Sequence, residues 1–206
     1  MANHSALPVG YTPVPPGHLA AVVTYLEMRE AQVVEVHEAA DLTLPFTLEQ
    51  LGAADLDRYR AVYRGVGTPW LWFSRLRLSD EQLRTILADE HVQAFAVRDD
   101  NRDVGLLELD FRTEGECELA FFGLVNDYVG RGAGRWLMRE AIARAWAQPI
   151  RRFHVHTCTL DHPQAVSFYM RAGFTPYARA VEVTPDPRLD GTLPREIGRA
   201  SCRERV

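Results

Sequence analysis

Apolar positions along this chain follow two rhythms, one of period two and one near 3.6 residues, and each change of rhythm marks an element boundary. Within Leu19–Glu30 (LAAVVTYLEMRE), Val22–Met28 reads as a strand. Residues 53–64 place Leu56, Tyr59 and Tyr63 at helical spacing, and that helix is expected to end before Gly65 and Gly67. Ser79-Asp-Glu-Gln82 is a capping box opening a second helix with Leu83, Ile86 and Leu87 on one face. Gln93–Arg98, Val104–Phe111 and Glu118–Val125 alternate as strands, the first two joined into a hairpin by Asp99-Asp-Asn-Arg102. From Gly132 to Ala147 the period returns to helix, with Leu137, Met138, Ala141 and Ala145 inward and Pro149 as the stop. Phe153–Thr159 is strand-like, Pro163 and Gly173 frame a short helix, and Phe174–Val183 closes as a strand. This order, with strands both in runs and alternating with helices, predicts a mixed sheet in a single α/β or α+β domain.

The domain is expected over residues 19–183. Residues 1–18 form a proline-rich arm, and residues 184–195 (TPDPRLDGTLPR) a turn-rich segment. Glu196–Val206 (EIGRASCRERV) resembles the translation of a common sequencing adapter, so it is set apart from the fold as a non-native tail. At 206 residues with 47% hydrophobic and 25% charged positions, the chain can bury a core without disulfides or structural metal. The net charge of −5 and pI near 5.8 argue against nucleic acid as a partner.

The chain contains no lysine. That excludes a Walker-A loop, a kinase strand lysine and Schiff-base chemistry. Cys117, Cys158 and Cys202 form no CxxC pair and no disulfide framework, which suits a reducing compartment. The first basic residue is Arg29 and no run of 18 apolar residues occurs, so neither a signal peptide nor a membrane span is expected, and the location expected is cytoplasmic.

Chemistry concentrates in Phe122-Gly-Leu-Val-Asn-Asp-Tyr-Val-Gly-Arg-Gly-Ala-Gly-Arg-Trp-Leu-Met138. A strand ends near Val125, and Gly130, Gly132 and Gly134 then open a long helix. Glycines let backbone N–H groups approach an anion, the helix N-terminus adds a favourable dipole, and Arg131 and Arg135 add positive charge. In physical terms this is a pyrophosphate cradle; the bland reading is a plain strand-to-helix turn. A Rossmann fingerprint fails, because GxGxxG counted from Gly130 meets Arg135 and from Gly132 meets Leu137.

This strand–loop–helix resembles the cofactor motif of the GNAT superfamily of N-acetyltransferases, Q/R-x-x-G-x-G/A, with Gly132 and Gly134 at its two small positions and Val129 where Gln or Arg is usual. A second motif, N-x-x-A-x-x-x-Y followed by GF, is matched by His162-Pro-Gln-Ala165-Val-Ser-Phe-Tyr169 and Gly173-Phe174, with His162 replacing Asn. The resemblance covers about Val22 to Val183. It implies a mixed, mostly antiparallel central sheet flanked by helices, and acetyl-CoA as cosubstrate held along Val129, Gly130, Arg131, Gly132, Ala133, Gly134 and Arg135. It further implies a backbone N–H near Leu124 or Val125 aimed at the thioester oxygen, with His162 and Phe168 beside the cofactor.

The implied reaction is direct acyl transfer to a primary amine, small-molecule or peptidic, without an acyl-enzyme. Tyr169 stands where the family places its general acid, and Glu118 where several members place a strand glutamate as base. The bland alternatives are a structural tyrosine and a solvated strand carboxylate. Glu108 is a weaker substitute base. Phe168 and Tyr169 lie about 100° apart on a helix, so one ring is expected in the core and the other in the cleft. Trp70, Trp72 and Phe73 either wall the acceptor site or belong to the core. His154, His156 and Cys158 share a strand face near His162, which leaves a zinc hydrolase as a rival; no metal is expected. A module that binds acyl-CoA without turnover is the other rival. A homodimer is compatible with the sequence, and the identity of the acceptor is open.

Overall fold

The strand rhythms resolve into one seven-stranded sheet. The structure, a computed structural model, describes residues 7–31, 45–130 and 132–197. Strand β1 is His18–Met28 and β2 Phe46–Leu51; helices α1 (Leu56–Gly67) and α2 (Asp80–Ala88) follow. Then come β3 (Val92–Asp99), β4 (Arg102–Asp110), β5 (Glu116–Leu124), α3 (Ala133–Trp146), β6 (Arg152–Cys158), α4 (Ala165–Arg171) and β7 (Thr175–Pro185). The strand order is β2-β3-β4-β5-β6-β1-β7. Every neighbouring pair is antiparallel except β5–β6, the one junction that needs a crossover, which α3 supplies. The chain thus has a mixed, mostly antiparallel sheet flanked by helices, as the resemblance implied.

Period-two alternation on β4 separates two cores. Leu106 packs with Tyr59, Tyr63 and Leu83 under α1 and α2, whereas Leu107 and Leu109 pack with Leu137, Met138 and Ala141 of α3. Burying one such leucine contributes about 1.5–3 kcal/mol, so these clusters fix which face each helix covers. Glu108 points into the first core and is fully buried. It is tolerated there because the Tyr59 hydroxyl and Arg75 Nη2 both donate to its carboxylate, the latter at 2.5 Å.

Both halves of the Ser79–Gln82 capping box form, and the β3–β4 hairpin turns at Asp100 with φ of +48°. Several expectations need correction. The strand Phe46–Leu51 lies outside the elements expected from sequence. At this sheet edge only Phe46 and Leu48 pack partly against the α3 core while Leu51 turns into the other, so the apolar alternation is short and breaks at Glu49-Gln50. Helix α1 runs through Gly65 and Gly67, because the close approach of Trp72 requires a glycine: a Cβ on Gly67 would lie 2.5 Å from the Trp72 ring. Helix α4 begins at Ala165 and not at Pro163. Strand β1 starts at His18, and β7 ends at Pro185 inside the turn-rich segment. Leu193 of that segment is buried with Leu19 and Leu71, and Ile197 packs against the same cluster. Of the suspected tail, residues 198–206 lie outside the described residues, as do residues 1–6 of the arm.

Candidate functional site

The parallel strands β5 and β6 pair only from Glu116–Arg152 to Glu118–His154. Beyond that the register of β5 on β4 shifts, Leu119 facing Leu109 and Phe121 facing Glu108, so Ala120 is an extra residue in β5. A bulge of this kind bends the strand that carries it. A cavity of about 660 Å³ lies here, lined by Leu119–Leu124 of β5 and Val155–Cys158 of β6.

The hydrogen-bond ladder tells which backbone groups face the opening. Val125 N–H donates to Val104 O at 2.9 Å, toward β4. Alternation along an extended strand turns the Leu124 N–H the other way, toward the side from which β6 has departed. Leu124 lines the cavity and Val125 does not, so of the two positions named for the oxyanion donor only Leu124 has its N–H directed at the opening.

Two sides of the cavity differ in character. On the α3–α4 side, Gly130 and Gly132 adopt φ of +86° and +85°, a region that disfavours side chains, and no heavy atom lies within 4 Å of a Cβ built on Gly130. No side chain caps α3; Arg135 and Trp136 N–H donate to Gly132 O at 3.0 and 3.1 Å, which leaves the Ala133 and Gly134 N–H groups as the uncapped donors. Arg135 lies beside them, and Gly134 leaves ordinary contact distance to the Phe168 ring at 3.8 Å. Open glycine backbone, uncapped N–H donors and one guanidinium fit a diphosphate. Val129, half exposed, also lines this side; Ala133 is buried and can offer only its backbone; Arg131 lies outside the described residues.

Tyr169 is 8% exposed and rests among Phe122, Phe168 and Phe174, with ring centroids 5.8–6.2 Å apart. Phe168 and Tyr169 therefore share an environment, contrary to the helical-wheel expectation; both line the cavity and both meet Phe122, which reaches across the angle between them. Among the described residues the Tyr169 hydroxyl has no hydrogen-bond partner. Burial, then the nearby Asp161 carboxylate, pushes its pKa well up, so it stays protonated. His162 also lines the cavity, its Nδ1 accepting from Gln164 N–H at 3.1 Å and its ring edge-on to Trp70.

The α1–α2 side carries Tyr63, Trp70, Trp72, Phe73 and Phe121 on one wall and His156, Asp161 and Glu182 on the other. Glu118 is not among the lining residues; its Oε1 lies 3.2 Å from Nδ1 of His156, which is. The hydrogen bond to Glu118 raises the His156 pKa against an opposing burial effect, with further help from the Glu118, Asp161 and Glu182 charges. The same hydrogen bond lowers that of Glu118. His154 stands apart, 3.5 Å from Glu116, its pKa lowered chiefly by burial. Glu108, engaged by Tyr59 and Arg75, does not line the cavity.

His156 and the Trp72–Asp161 contact carry no local motif. The only sequence signals were the alternate histidines of β6 and the aromatic cluster at 70–73. Among the described residues no group of three or more His, Cys, Asp or Glu side chains could hold a metal ion. The strand histidines pair with Glu116 and Glu118 instead. Burial pushes the Cys158 thiol up to about 11, which keeps it from being a ready nucleophile. Among the described residues no helix is long and apolar enough to cross a membrane.

Comparison with known proteins returns a family and a fold. The model of the Acetyltransferase (GNAT) family matches residues 59–174. No curated protein matches. Among solved structures, a putative GNAT-family acetyltransferase from Novosphingobium aromaticivorans is 18% identical over 84% of this chain and 68% of its own, with a TM-score of 0.56. A functionally unknown conserved protein from Staphylococcus epidermidis is 12% identical, TM-score 0.58, covering 82% of this chain and 64% of its own, so the present chain spans just under two thirds of that relative. AAC(6')-Iy, solved with the bisubstrate analogue CoA-S-monomethyl-acetylneamine, is 17% identical over 66% of this chain and 94% of its own, TM-score 0.50.

Proposed function

From the premise that this chain belongs to the acetyltransferase (GNAT) family, we propose that it moves an acetyl group from acetyl-CoA to a primary amine by direct attack, without an acyl-enzyme. The single observation that carries this reading is the opening between β5 and β6, which has a diphosphate-compatible cradle on one side and a titratable pair on the other. Val129, Gly130, Gly132, Ala133, Gly134 and Arg135 hold the CoA diphosphate, together with Arg131. Leu124 N–H polarises the thioester carbonyl. Phe168 and His162 flank the pantetheine.

An amine acceptor with a pKa near ~10 arrives as an ammonium ion and must lose a proton before it attacks. His156 faces the cavity and takes that proton, with Glu118 behind it stabilising the imidazolium; the notion of Glu118 as base is thereby kept, but acting through His156. The C–N bond forms as the C–S bond breaks. Tyr169 gives its proton to the departing thiolate and regains one from the nitrogen, so one proton reaches the CoA thiol and one leaves to solvent.

We assign this chemistry to residues 19–183, and the free thiols of Cys117 and Cys158 suit a reducing, cytoplasmic setting. The solved complex of AAC(6')-Iy with a CoA–amine bisubstrate analogue supports a small-molecule amine as the acceptor class. The test is release of CoA thiol from acetyl-CoA across a panel of amines. Thiol release dependent on an added amine, with the acetylated amine identified by mass, is the expected result. Tight acetyl-CoA binding with no turnover on any amine would make the protein a binding module instead.

A further inference from the structure

We infer that the acceptor is a small cationic amine borne on a flat apolar body, an arylalkylamine in chemical class, seated between the aromatic wall and the carboxylate of Asp161. This rests on the acetyl-transfer reading and narrows it.

The acceptor must reach the opening from the side opposite the diphosphate cradle, which is the α1–α2 side. There the wall is built, not incidental. Trp72 is drawn onto α1 by the absence of a side chain at Gly67, and its indole N–H donates to Asp161 Oδ1 at 3.1 Å. The other oxygen of Asp161 receives Thr157 Oγ1 at 2.7 Å and Cys158 N–H at 2.9 Å. A carboxylate offers about four acceptor positions, so three fixed donors leave it oriented and still able to receive an N–H from a ligand. Trp72 and Phe121 stand with ring centroids 5.3 Å apart, presenting an aromatic surface next to that carboxylate.

Charge selects the ligand's sign. The arginines that line the cavity among the described residues, Arg135 and Arg171, belong to α3 and α4. On the α1–α2 side Arg75 and Arg77 stack on Phe121 and Phe73 but lie behind the lining and are paired with Glu108 and Asp190. The charges that line the cavity there are the carboxylates of Asp161 and Glu182, so an ammonium is attracted and the carboxylate of a free amino acid is repelled. The rings decide the rest. An aromatic face favours a cation and a flat apolar group. A polyhydroxylated amine would lose hydrogen bonds to water against that wall without replacing them.

The experiment separates this inference from the reading beneath it. Binding of phenethylamine, spermidine, kanamycin and glycine is followed by tryptophan fluorescence and calorimetry in the presence of desulfo-CoA, and turnover of each is followed with acetyl-CoA. Phenethylamine is expected to bind at least about tenfold more tightly than the other three. Asp161→Asn is expected to weaken it by about tenfold or more while acetyl-CoA affinity stays as in the parent. Should Asp161→Asn lower the melting temperature, Glu182→Gln on the exposed edge strand and Trp72→Phe carry the comparison. Preference for spermidine, kanamycin or glycine, or unchanged phenethylamine affinity in all three variants, overturns the inference. Selective phenethylamine binding without any turnover upholds the pocket and overturns acetyl transfer.

Discussion

Glu118 and His156 meet at 3.2 Å on neighbouring strands, Glu118 in the last pair that β5 and β6 form and His156 two residues past its end. The carboxylate lies off the cavity and the imidazole lines it. The expected pH dependence follows from this pair. The His156 pKa is raised by Glu118, so its favourable contribution to stability is full below the unfolded value of about 6.5 and is lost as pH rises through the higher folded value. Glu118 is lowered, so its contribution is present above the ordinary carboxylate value and is lost as pH falls through the depressed one. Proton abstraction needs the neutral imidazole. Turnover should therefore climb with pH through a midpoint above 6.5, about the ordinary imidazole value, and Glu118→Gln should move that midpoint down. His156→Gln should cost about 10²-fold or more in turnover and flatten the limb. A pH–rate profile of the three proteins checks this; an unchanged limb in His156→Gln would assign the proton to another group.

Tyr169→Phe should keep its fold and its acetyl-CoA affinity while turnover falls at least about tenfold, since loss of a general acid usually costs 10²–10⁴-fold. The hydroxyl meets no protein partner among the described residues, so its removal forfeits no structural hydrogen bond. Melting temperature and single-turnover rate are the paired readouts. Parental turnover on a good acceptor would leave Tyr169 a packing residue.

Gly134→Asp tests the diphosphate cradle cleanly. Gly132 has a left-handed backbone, so any side chain there adds strain of its own. Gly134 does not, and its Cβ would meet the Phe168 ring only at ordinary contact distance. An aspartate in the first turn of α3 favours the helix by about 0.3–1 kcal/mol while placing a negative charge where phosphate must bind. Stability should be held or improved and acetyl-CoA affinity should fall by about tenfold or more. Calorimetric titration decides; parental affinity would remove the diphosphate from this loop.

Truncation separates the tail into two parts. Ile197 packs on the Leu19–Leu71–Leu193 cluster, and its carbonyl accepts from Arg188 Nη1 at 3.1 Å. A chain ending at Ile197 should melt with the full-length protein, in keeping with the adapter resemblance of the last residues. A chain ending at Arg195 should lose about 1 kcal/mol, or about 2–4 °C in a protein of this size. A large drop on removing residues 198–206 alone would mean that they pack.

What could be read in advance is what neighbours in sequence determine. The Ser79 capping box, the β3–β4 turn and the glycine-opened start of α3 are all settled within a few residues, and all three are found. The edge strand β2 escaped because its three apolar residues, Phe46, Leu48 and Leu51, serve two different cores and break step at Glu49-Gln50, so pairing with β3 defines it more than its pattern does. The choice between Leu124 and Val125 could not be made without the Val104 carbonyl, which comes from another strand. The partnership of His156 with Glu118 and that of Trp72 with Asp161 span 89 residues in the second case, beyond the reach of any local pattern. Phe168 and Tyr169 were separated by helical geometry and reunited by Phe122, whose ring is wide enough to serve both.

The early parting of β5 from β6 has a thermodynamic side. A sheet interrupted at its centre leaves amide groups there that no strand satisfies, a deficit that in a closed core would cost about 1–3 kcal/mol for each group left without a partner. A ligand whose own amides can bridge the gap completes the sheet, so folding and binding draw on the same hydrogen bonds. Amide hydrogens of Phe122 and Leu124 should then exchange quickly in the free protein and become among the slowest once acetyl-CoA is added. The melting temperature should climb with ligand concentration, by the equivalent of about 2.7 kcal/mol at a hundred times the dissociation constant. On the proposed function, the firmness of the fold should therefore track the concentration of the acyl donor.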